Sequence, residues 1–143
     1  FVHLIHGVDS YQLLEEIDRQ AGRHNRLISC LLQVHIASEA TKFGLNDHEL
    51  ELLAEGIHKQ KLLGQLQYTR VCGLMGMASL SDNPHLTSRE FMHLKFLFEE
   101  TKRTIHEPSF HLLSMGMSGD YKLALKQGSN MVRIGSLLFG DRK

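Results

Sequence analysis

Residues 112–140 read LLSMGMSGDYKLALKQGSNMVRIGSLLFG, and this stretch decides the predicted fold. Two apolar runs, Leu112 to Met117 and Met131 to Ile134, flank an amphipathic segment that closes at Gly128. A short apolar segment follows the second run. The pattern predicts a strand, a helix, a second strand and a short helix.

Each of these two strands ends in a glycine beside a hydroxyl residue: Ser118 precedes Gly119, and Gly135 precedes Ser136. Two such ends side by side would direct free backbone N–H groups and two hydroxyls to one spot, and helix N-termini of this kind bind phosphate. In barrels, the phosphate site often follows the last two strands. Ser118, Gly135 and Ser136 are therefore candidate phosphate ligands, although the same residue types also serve as helix caps and turns.

Three more apolar runs extend the pattern towards the start of the chain. They predict buried strands over residues 1–8, 28–36 and 71–77. Capping patterns predict the starts of the intervening helices at Asp9 or Ser10, at Asn46 with Glu49, and at Thr87 with Glu90, the last of them running over 88–105.

Strict alternation of buried strands and helices predicts a parallel α/β sheet with right-handed crossovers. Two architectures are compatible with five strands: an open doubly wound sheet, or part of a (β/α)8 barrel, which five strands alone could not close. No G-x-G-x-x-G follows the first strand. Its absence disfavours a dinucleotide-binding fold.

The charge balance argues against polyanionic partners. Acidic and basic residues number 16 each, and no basic cluster of the kind that binds nucleic acid is present. No apolar run approaches the roughly 18 residues of a membrane span. We therefore expect neither nucleic acid nor membrane as a partner.

The cysteines and histidines do not predict a metal centre. Cys30 and Cys72 each lie in an apolar run without a second ligand at CxxC spacing, which is typical of buried, reduced thiols in a cytoplasmic protein. The ten histidines include no HExxH. No Ser/His/Asp set can be assigned, so no residue is predicted to be catalytic.

Arg133 is the most informative single residue. It lies in an otherwise apolar strand, two positions before Gly135. A buried arginine needs a partner, and a carboxylate such as Glu39 or Asp120 would supply a purely structural one. We favour a ligand contact, because alternation along the strand would direct Arg133 and Gly135 to the same side.

The loop after the second strand carries weaker candidates. Lys42 is expected to be a solvated loop lysine, and Glu39 its neighbour or a simple surface acid. His35 lies at the strand end, where a histidine is more often a rim residue than a ligand.

The sequence that contains these residues closely resembles the pyridoxal 5′-phosphate homeostasis protein family. The motif that carries the resemblance is LSMGMSGDYKLALKQGSNMVRIGSLLFGDR, residues 113–142. Supporting blocks are IHGVDS at 5–10, LLQVHIASEATKFGL at 31–45 and GLMGMAS at 73–79, in the family's order and spacing.

The resemblance implies a (β/α)8 barrel of the fold-type III class, similar to the N-terminal barrel of alanine racemase. It implies that pyridoxal 5′-phosphate (PLP) binds with its phosphate near Ser118, Gly135 and Ser136 and its ring nitrogen near Arg133. Members of the family are regarded as cytoplasmic PLP carriers or regulators of the PLP pool, without a firmly established catalytic activity. The alternative is a PLP-dependent enzyme resembling an amino-acid racemase.

The sequence departs from the family pattern in three places. The matched blocks correspond to about strands four to eight, so the lysine that forms the family's Schiff base, on its first barrel strand, has no counterpart. His35 stands where the family usually has Asn, and Ser136 where Thr is commoner, which keeps the hydroxyl.

Two expectations follow from this partial match. Because Phe1 falls inside a strand-like run, we expect the chain to be the C-terminal part of a longer protein, with residues 1–143 forming one partial barrel domain. Open sheet edges favour pairing with other strands, so we also expect self-association.

Overall fold

A computed structural model describes residues 1–140 and gives the predicted alternation of strands and helices. The strands are β1 (Leu4–Val8), β2 (Ile28–Val34), β3 (Thr69–Gly76), β4 (Leu112–Met117) and β5 (Met131–Arg133). The helices are α1 (Tyr11–Arg23), α2 (Asp47–Leu62), α3 (Pro84–Ile105), α4 (Tyr121–Lys126) and α5 (Ser136–Phe139). The last two residues of the 113–142 motif lie outside the described part of the chain.

The strand order distinguishes between the two predicted architectures. All neighbouring strands are parallel, and their order in the sheet, β1-β2-β3-β4-β5, follows the chain. A doubly wound sheet reverses its strand order at a switch point and carries helices on both faces. Sequential order is what a barrel requires, so the fold is an incomplete (β/α)8 barrel.

The two faces of the sheet are packed differently. One face, the helix-covered face, joins strand residues such as Leu32, Leu74 and Leu113 to helix residues such as Leu14 and Phe91 in one apolar core. The opposite face, here named the helix-free face, has a small cluster of Leu31, Cys72 and Met75, and no helix residue among 1–140 is part of that cluster or of the residues packed against it. Side chains alternate between these faces along each strand.

Close packing explains a glycine in the middle of β3. A Cβ atom on Gly73 would lie 1.7 Å from the carbonyl oxygen of Leu112, the first residue of β4. No side chain can be accommodated at that distance. The glycine thus allows the backbone of β4 to approach that of β3, a common role of glycine inside a strand.

Two of the three predicted helix starts are confirmed. Ser10 is the N-cap of α1, and its side chain accepts a hydrogen bond from the backbone N–H of Leu13. Asn46 and Glu49 form the predicted reciprocal capping box at the start of α2.

The predicted start of α3 is wrong. The helix begins at Pro84 with Asn83 as N-cap, one turn before the predicted start at Ser88, and proline suits a first helical position because it has no N–H to leave unpaired. Glu90 caps nothing: it is buried and accepts hydrogen bonds from the backbone N–H and the hydroxyl of Ser79. The first strand also starts later than predicted, at Leu4, and Phe1 is exposed.

Side chains replace part of the backbone pairing between β4 and β5. The two strands are in register at Ser114 with Met131 and at Met117 with Arg133, with an irregularity between these pairs. Just before β5, the amide side chain of Asn130 accepts from Leu113 N at 2.7 Å and donates to His111 O at 2.7 Å. Its neighbour Ser129, which is buried, has its hydroxyl within hydrogen-bond distance of backbone carbonyls of both strands.

Both cysteines are free and buried, as predicted. Burial, followed by the neighbouring Cys72, raises the pKa of the Cys30 thiol to about 12, so this thiol stays protonated at neutral pH. Residues 1–140 contain no group of three or more histidine, cysteine or acidic side chains that could hold a metal ion. Among the described helices, none combines the length and apolarity needed to cross a membrane.

Candidate functional site

The candidate site lies at the edge of the sheet where β3, β4 and β5 end. These carboxyl ends are marked by Gly76, Met117 and Arg133, and Met117 is in register with Arg133. Parallel strands bring all their carboxyl ends to the same edge, where open α/β sheets and barrels bind their ligands.

Ser118 and Gly135 meet at this edge, as their sequence positions predicted. The Ser118 hydroxyl accepts hydrogen bonds from the backbone N–H of Gly135 at 3.2 Å and of Leu137 at 3.4 Å. Gly135 is the N-cap of α5, and Ser136 is its exposed first residue. The Ser118 hydroxyl and two backbone amides thus meet where β4 and β5 end, and Ser136 lies between the two amide residues in the chain.

Ser118 is not the N-cap of α4. That position belongs to Asp120, whose carboxylate accepts a hydrogen bond from the backbone N–H of Met117 at 2.7 Å. Because Asp120 stabilises the turn after β4, the Ser118 hydroxyl is available to the residues that follow β5.

The space around Ser118 is open. A cleft of about 300 Å³ lies beside it and is lined by Ser118, Gly119, Asp120, Tyr121, Lys122, Leu123 and Leu137. A Cβ atom built on Gly119 or Gly135 would meet no other atom within 4 Å. A ligand group can therefore approach the backbone here.

Arg133 is half-buried on the helix-free face, and its two observed partners are neutral. One terminal guanidinium nitrogen donates to the Ser114 hydroxyl at 3.2 Å and the other to the Gly76 carbonyl at 3.1 Å. Within residues 1–140 it forms no ion pair with a carboxylate, so the structural pairing with Glu39 or Asp120 is not observed.

The environment of Arg133 affects its charge only weakly. Burial lowers the pKa of Arg133, and the more distant negative charge of Asp120 opposes that effect. A guanidinium stays protonated at physiological pH in proteins. Arg133 therefore provides a fixed positive charge with N–H donors to spare.

His6, in the middle of β1, is a residue of the helix-free face that the sequence reasoning missed. It lies two residues after Leu4 on β1, and Leu4 packs on the helix-free face. Because side chains two apart on a strand lie on the same face, His6 is on the helix-free face as well. Its Nδ1 atom is buried without a hydrogen-bond partner within residues 1–140. Burial and then the charge of Arg133 lower the pKa of His6, so its ring is neutral. Alternation along β1 was the signal that could have found it.

The loop after β2 is bound to the loop after β3. Lys42 donates to the Ala78 carbonyl at 3.0 Å and is half-buried, so the expectation of a solvated lysine is wrong. Glu39 accepts a hydrogen bond from the backbone N–H of Leu80 at 2.7 Å, and this bond lowers the pKa of its carboxyl. His35 lies with its Nε2 atom 2.9 Å from the Glu39 carbonyl, which makes it a rim residue.

The donor set of the edge indicates the kind of ligand that would fit. Hydroxyls and backbone amides at the start of a helix suit a phosphate group. A guanidinium suits a second acceptor atom on the same ligand. The residues present therefore fit a phosphorylated compound that carries an acceptor atom, a description that PLP meets through its ring nitrogen.

Comparison with known proteins agrees with this geometry. The family model described as "Alanine racemase, N-terminal domain" matches residues 2–143. The chain belongs to this family. A curated relative, the "Pyridoxal phosphate homeostasis protein" of Aquifex aeolicus, is 36% identical over 142 residues, which are 99% of this chain and 59% of the relative. The resemblance stated from sequence is confirmed, and the chain spans about three fifths of the length of that relative.

Solved structures support the same relationship. PipY of Synechococcus elongatus, solved without PLP, aligns with a TM-score of 0.84 at 33% identity and covers 96% of this chain and 61% of its own. The form of PipY with PLP bound aligns with a TM-score of 0.80 at 32% identity, covering 96% of this chain and 60% of its own. These alignments confirm the incomplete barrel.

Proposed function

We propose that this chain binds PLP at the carboxyl ends of β3, β4 and β5 and takes part in PLP homeostasis. The observation that carries the proposal is the meeting of the Ser118 hydroxyl with the Gly135 and Leu137 amides at the edge that also carries Arg133. A relative of the same fold is known with PLP bound, which supports the choice of ligand. The binding domain would comprise residues 1–143.

Each candidate residue has a defined role in this proposal. Ser118, Ser136 and the amide of Gly135 would hold the phosphate, and Arg133 would face the ring nitrogen. Bound PLP supplies an electron sink for carbanion chemistry. A fixed positive charge beside the ring nitrogen disfavours its protonation, which makes that sink weaker.

A weak electron sink supports a role in holding and delivering the cofactor, without strong catalysis. The names of the curated relatives point in the same direction, because they describe homeostasis and state no reaction. We propose that the chain is not an enzyme. We also propose a cytoplasmic location, which the two free, buried thiols support.

The racemase-like alternative has one observation in its favour. Tyr121 is half-buried, begins α4 and lines the cleft beside Ser118, so a tyrosine does lie at the candidate edge. Chiral chromatography of alanine after incubation with protein and PLP separates the two functions. We expect no racemisation above that of PLP alone, and conversion that disappears in Tyr121→Phe would favour the enzyme.

Equilibrium dialysis with PLP and with pyridoxal, which lacks the phosphate, tests the main proposal. The wild type should bind PLP at least about 100-fold more tightly, since charge-assisted hydrogen bonds to phosphate contribute roughly 1.5–3 kcal/mol each. Ser118→Asp places a negative charge beside the two amides and should abolish this preference. Ser88→Asp, on helix α3, is the matched control and should retain it. Equal binding of the two compounds by the wild type would overturn the proposal.

Self-association through the sheet edges is a separate proposal. Within residues 1–140, β1 and β5 each pair with a single strand, so one side of each has backbone groups available to another strand. Sedimentation velocity over a range of protein concentrations is the test. We expect a species larger than the monomer, and a monomer at all concentrations would contradict the proposal.

A further inference from the structure

We propose that Ser114 is a positioning residue, which together with the carbonyl of Gly76 holds the Arg133 guanidinium at the ligand edge by neutral hydrogen bonds. The inference rests on the proposed function, since the ligand atom that Arg133 would face is the PLP ring nitrogen. It concerns the residues that orient Arg133, and none of them needs to touch the ligand.

The geometry gives Ser114 a single polar role. It is fully buried in the middle of β4, between Met75 of β3 and Met131 of β5 in the sheet register. Its hydroxyl lies 3.2 Å from a guanidinium nitrogen of Arg133. Alternation sends its neighbours Leu113 and Met115 into the helix-covered core, so the hydroxyl is directed to the helix-free face.

The second anchor is fixed by packing. Gly76 ends β3, and its carbonyl accepts from the other terminal nitrogen of Arg133 at 3.1 Å. A Cβ atom at this position would lie 2.7 Å from Leu94 of α3 and 3.2 Å from Ile36. The strand end is thus pressed against its neighbours, and the carbonyl has a defined position.

The neutrality of both anchors matters for the ligand. A carboxylate in place of the Ser114 hydroxyl would orient Arg133 equally well but would cancel much of its charge. A hydroxyl and a carbonyl each accept one hydrogen bond and leave the charge intact, and at least one of the five guanidinium N–H groups remains for the ligand. Ser114 therefore combines orientation with an undiminished positive field at the ring nitrogen.

Ser114→Ala, its conservative counterpart Ser114→Thr and the control Thr69→Val provide the test. Thr69 is a buried hydroxyl residue at the start of β3, at the opposite edge of the sheet, where its hydroxyl donates to Asp18. Two quantities are measured: the pKa of His6 by NMR in the absence of PLP, and the protonation of the ring nitrogen by ¹⁵N NMR of bound, ring-labelled PLP. Affinity for PLP is measured alongside.

In Ser114→Ala the pKa of His6 should rise part of the way towards its ordinary value: burial still lowers it, but the charge of Arg133 is no longer held in place. The ring-nitrogen signal should move towards that of the protonated form, and affinity should fall about tenfold, as expected for one hydrogen bond to a charged group. Ser114→Thr should behave as the wild type, and Thr69→Val should lose thermal stability without moving either signal.

Unchanged His6 and ring-nitrogen signals in a folded Ser114→Ala would overturn the inference. If Ser114→Ala does not fold, Ser114→Cys serves instead, because a thiol is a poorer acceptor of nearly the same shape and should shift both signals in the same direction. Failure of the proposed function can be told apart from failure of this inference. In the first case the wild type does not bind PLP, but the pKa of His6 in Ser114→Ala, measured without PLP, still tests whether Ser114 holds Arg133.

Discussion

The two faces of the sheet have opposite compositions. The helix-covered face is apolar and closed, with side chains such as Leu32, Leu74 and Phe91 fully buried. The helix-free face carries a small apolar cluster together with Arg133 and His6. Because side chains alternate along a strand, each strand contributes to both faces. The residues that form the main core and the residues of the proposed ligand site are therefore different residues of the same strands.

The largest expected effect tests whether the helix-covered face alone provides the stability. Phe91 is fully buried on α3 and packs in the main core. Phe91→Ala should lower the free energy of unfolding by about 3–5 kcal/mol, through lost burial and the cavity left behind. Urea denaturation followed by circular dichroism measures the change.

Phe96 provides the matched control on the same helix, since it is 59% exposed. Phe96→Ala should change the unfolding free energy by well under 1 kcal/mol, because surface substitutions usually lie within about 0.5 kcal/mol. Under conditions where Phe91→Ala is folded, its affinity for PLP should equal that of the wild type. A lower affinity would show that the two faces are not independent.

A second prediction concerns a place where the two roles coincide. Asn130 binds His111 and Leu113 through its side chain just before β5, the strand that carries Arg133. Asn130→Ala should cost about 1–3 kcal/mol of stability, since it leaves backbone groups of β4 without their partner. Because the same bonds fix β5, the affinity for PLP should fall as well.

Asn83→Ala distinguishes this effect from simple loss of stability. Asn83 accepts a hydrogen bond from His85 at the start of α3, and losing such a cap costs about 1 kcal/mol. Its affinity for PLP should stay unchanged. If Asn130→Ala also retains full affinity, then β5 is positioned by other contacts.

The features that could be predicted from sequence are those with a local signal. Buried strands appear as apolar runs, and the glycine–hydroxyl pairs at 118–119 and 135–136 mark the ends of β4 and β5. The capping box of Asn46 and Glu49 depends on residues three apart, and it is confirmed. These local signals were sufficient for the order of elements and for the edge where the candidate site lies.

The features that could not be predicted depend on partners far apart in the chain. Thr87 and Glu90 have capping-box spacing, yet Glu90 binds Ser79 and the helix begins at Pro84. The partners of Arg133 lie on two other strands, 19 and 57 residues away. Spacing cannot reveal such pairs, because they arise only when the sheet has formed.

The smallest expected effect is a pH dependence at the helix-free face. Burial and the charge of Arg133 lower the pKa of His6 in the folded protein. As the pH falls through the ordinary histidine value of about 6.5, the unfolded chain takes up a proton that folded His6 does not. Stability is therefore lost as the pH decreases, until the folded pKa is also passed.

Urea midpoints of the wild type and of His6→Gln, measured between pH 7.5 and 5, isolate this contribution. Other titrating groups affect both proteins alike, so the difference between them reports His6. The wild type should lose more stability than His6→Gln over this range, and His3→Gln, which alters an exposed histidine just before β1, should follow the wild type. The same comparison is made between Arg133→Leu and the double variant Arg133→Leu/His6→Gln. The difference between these two proteins should be smaller, because burial alone then lowers the pKa of His6. An equal pH dependence in the wild type and His6→Gln would mean that the ring is solvated, and that the helix-free face does not hold its charged and neutral groups in the arrangement described.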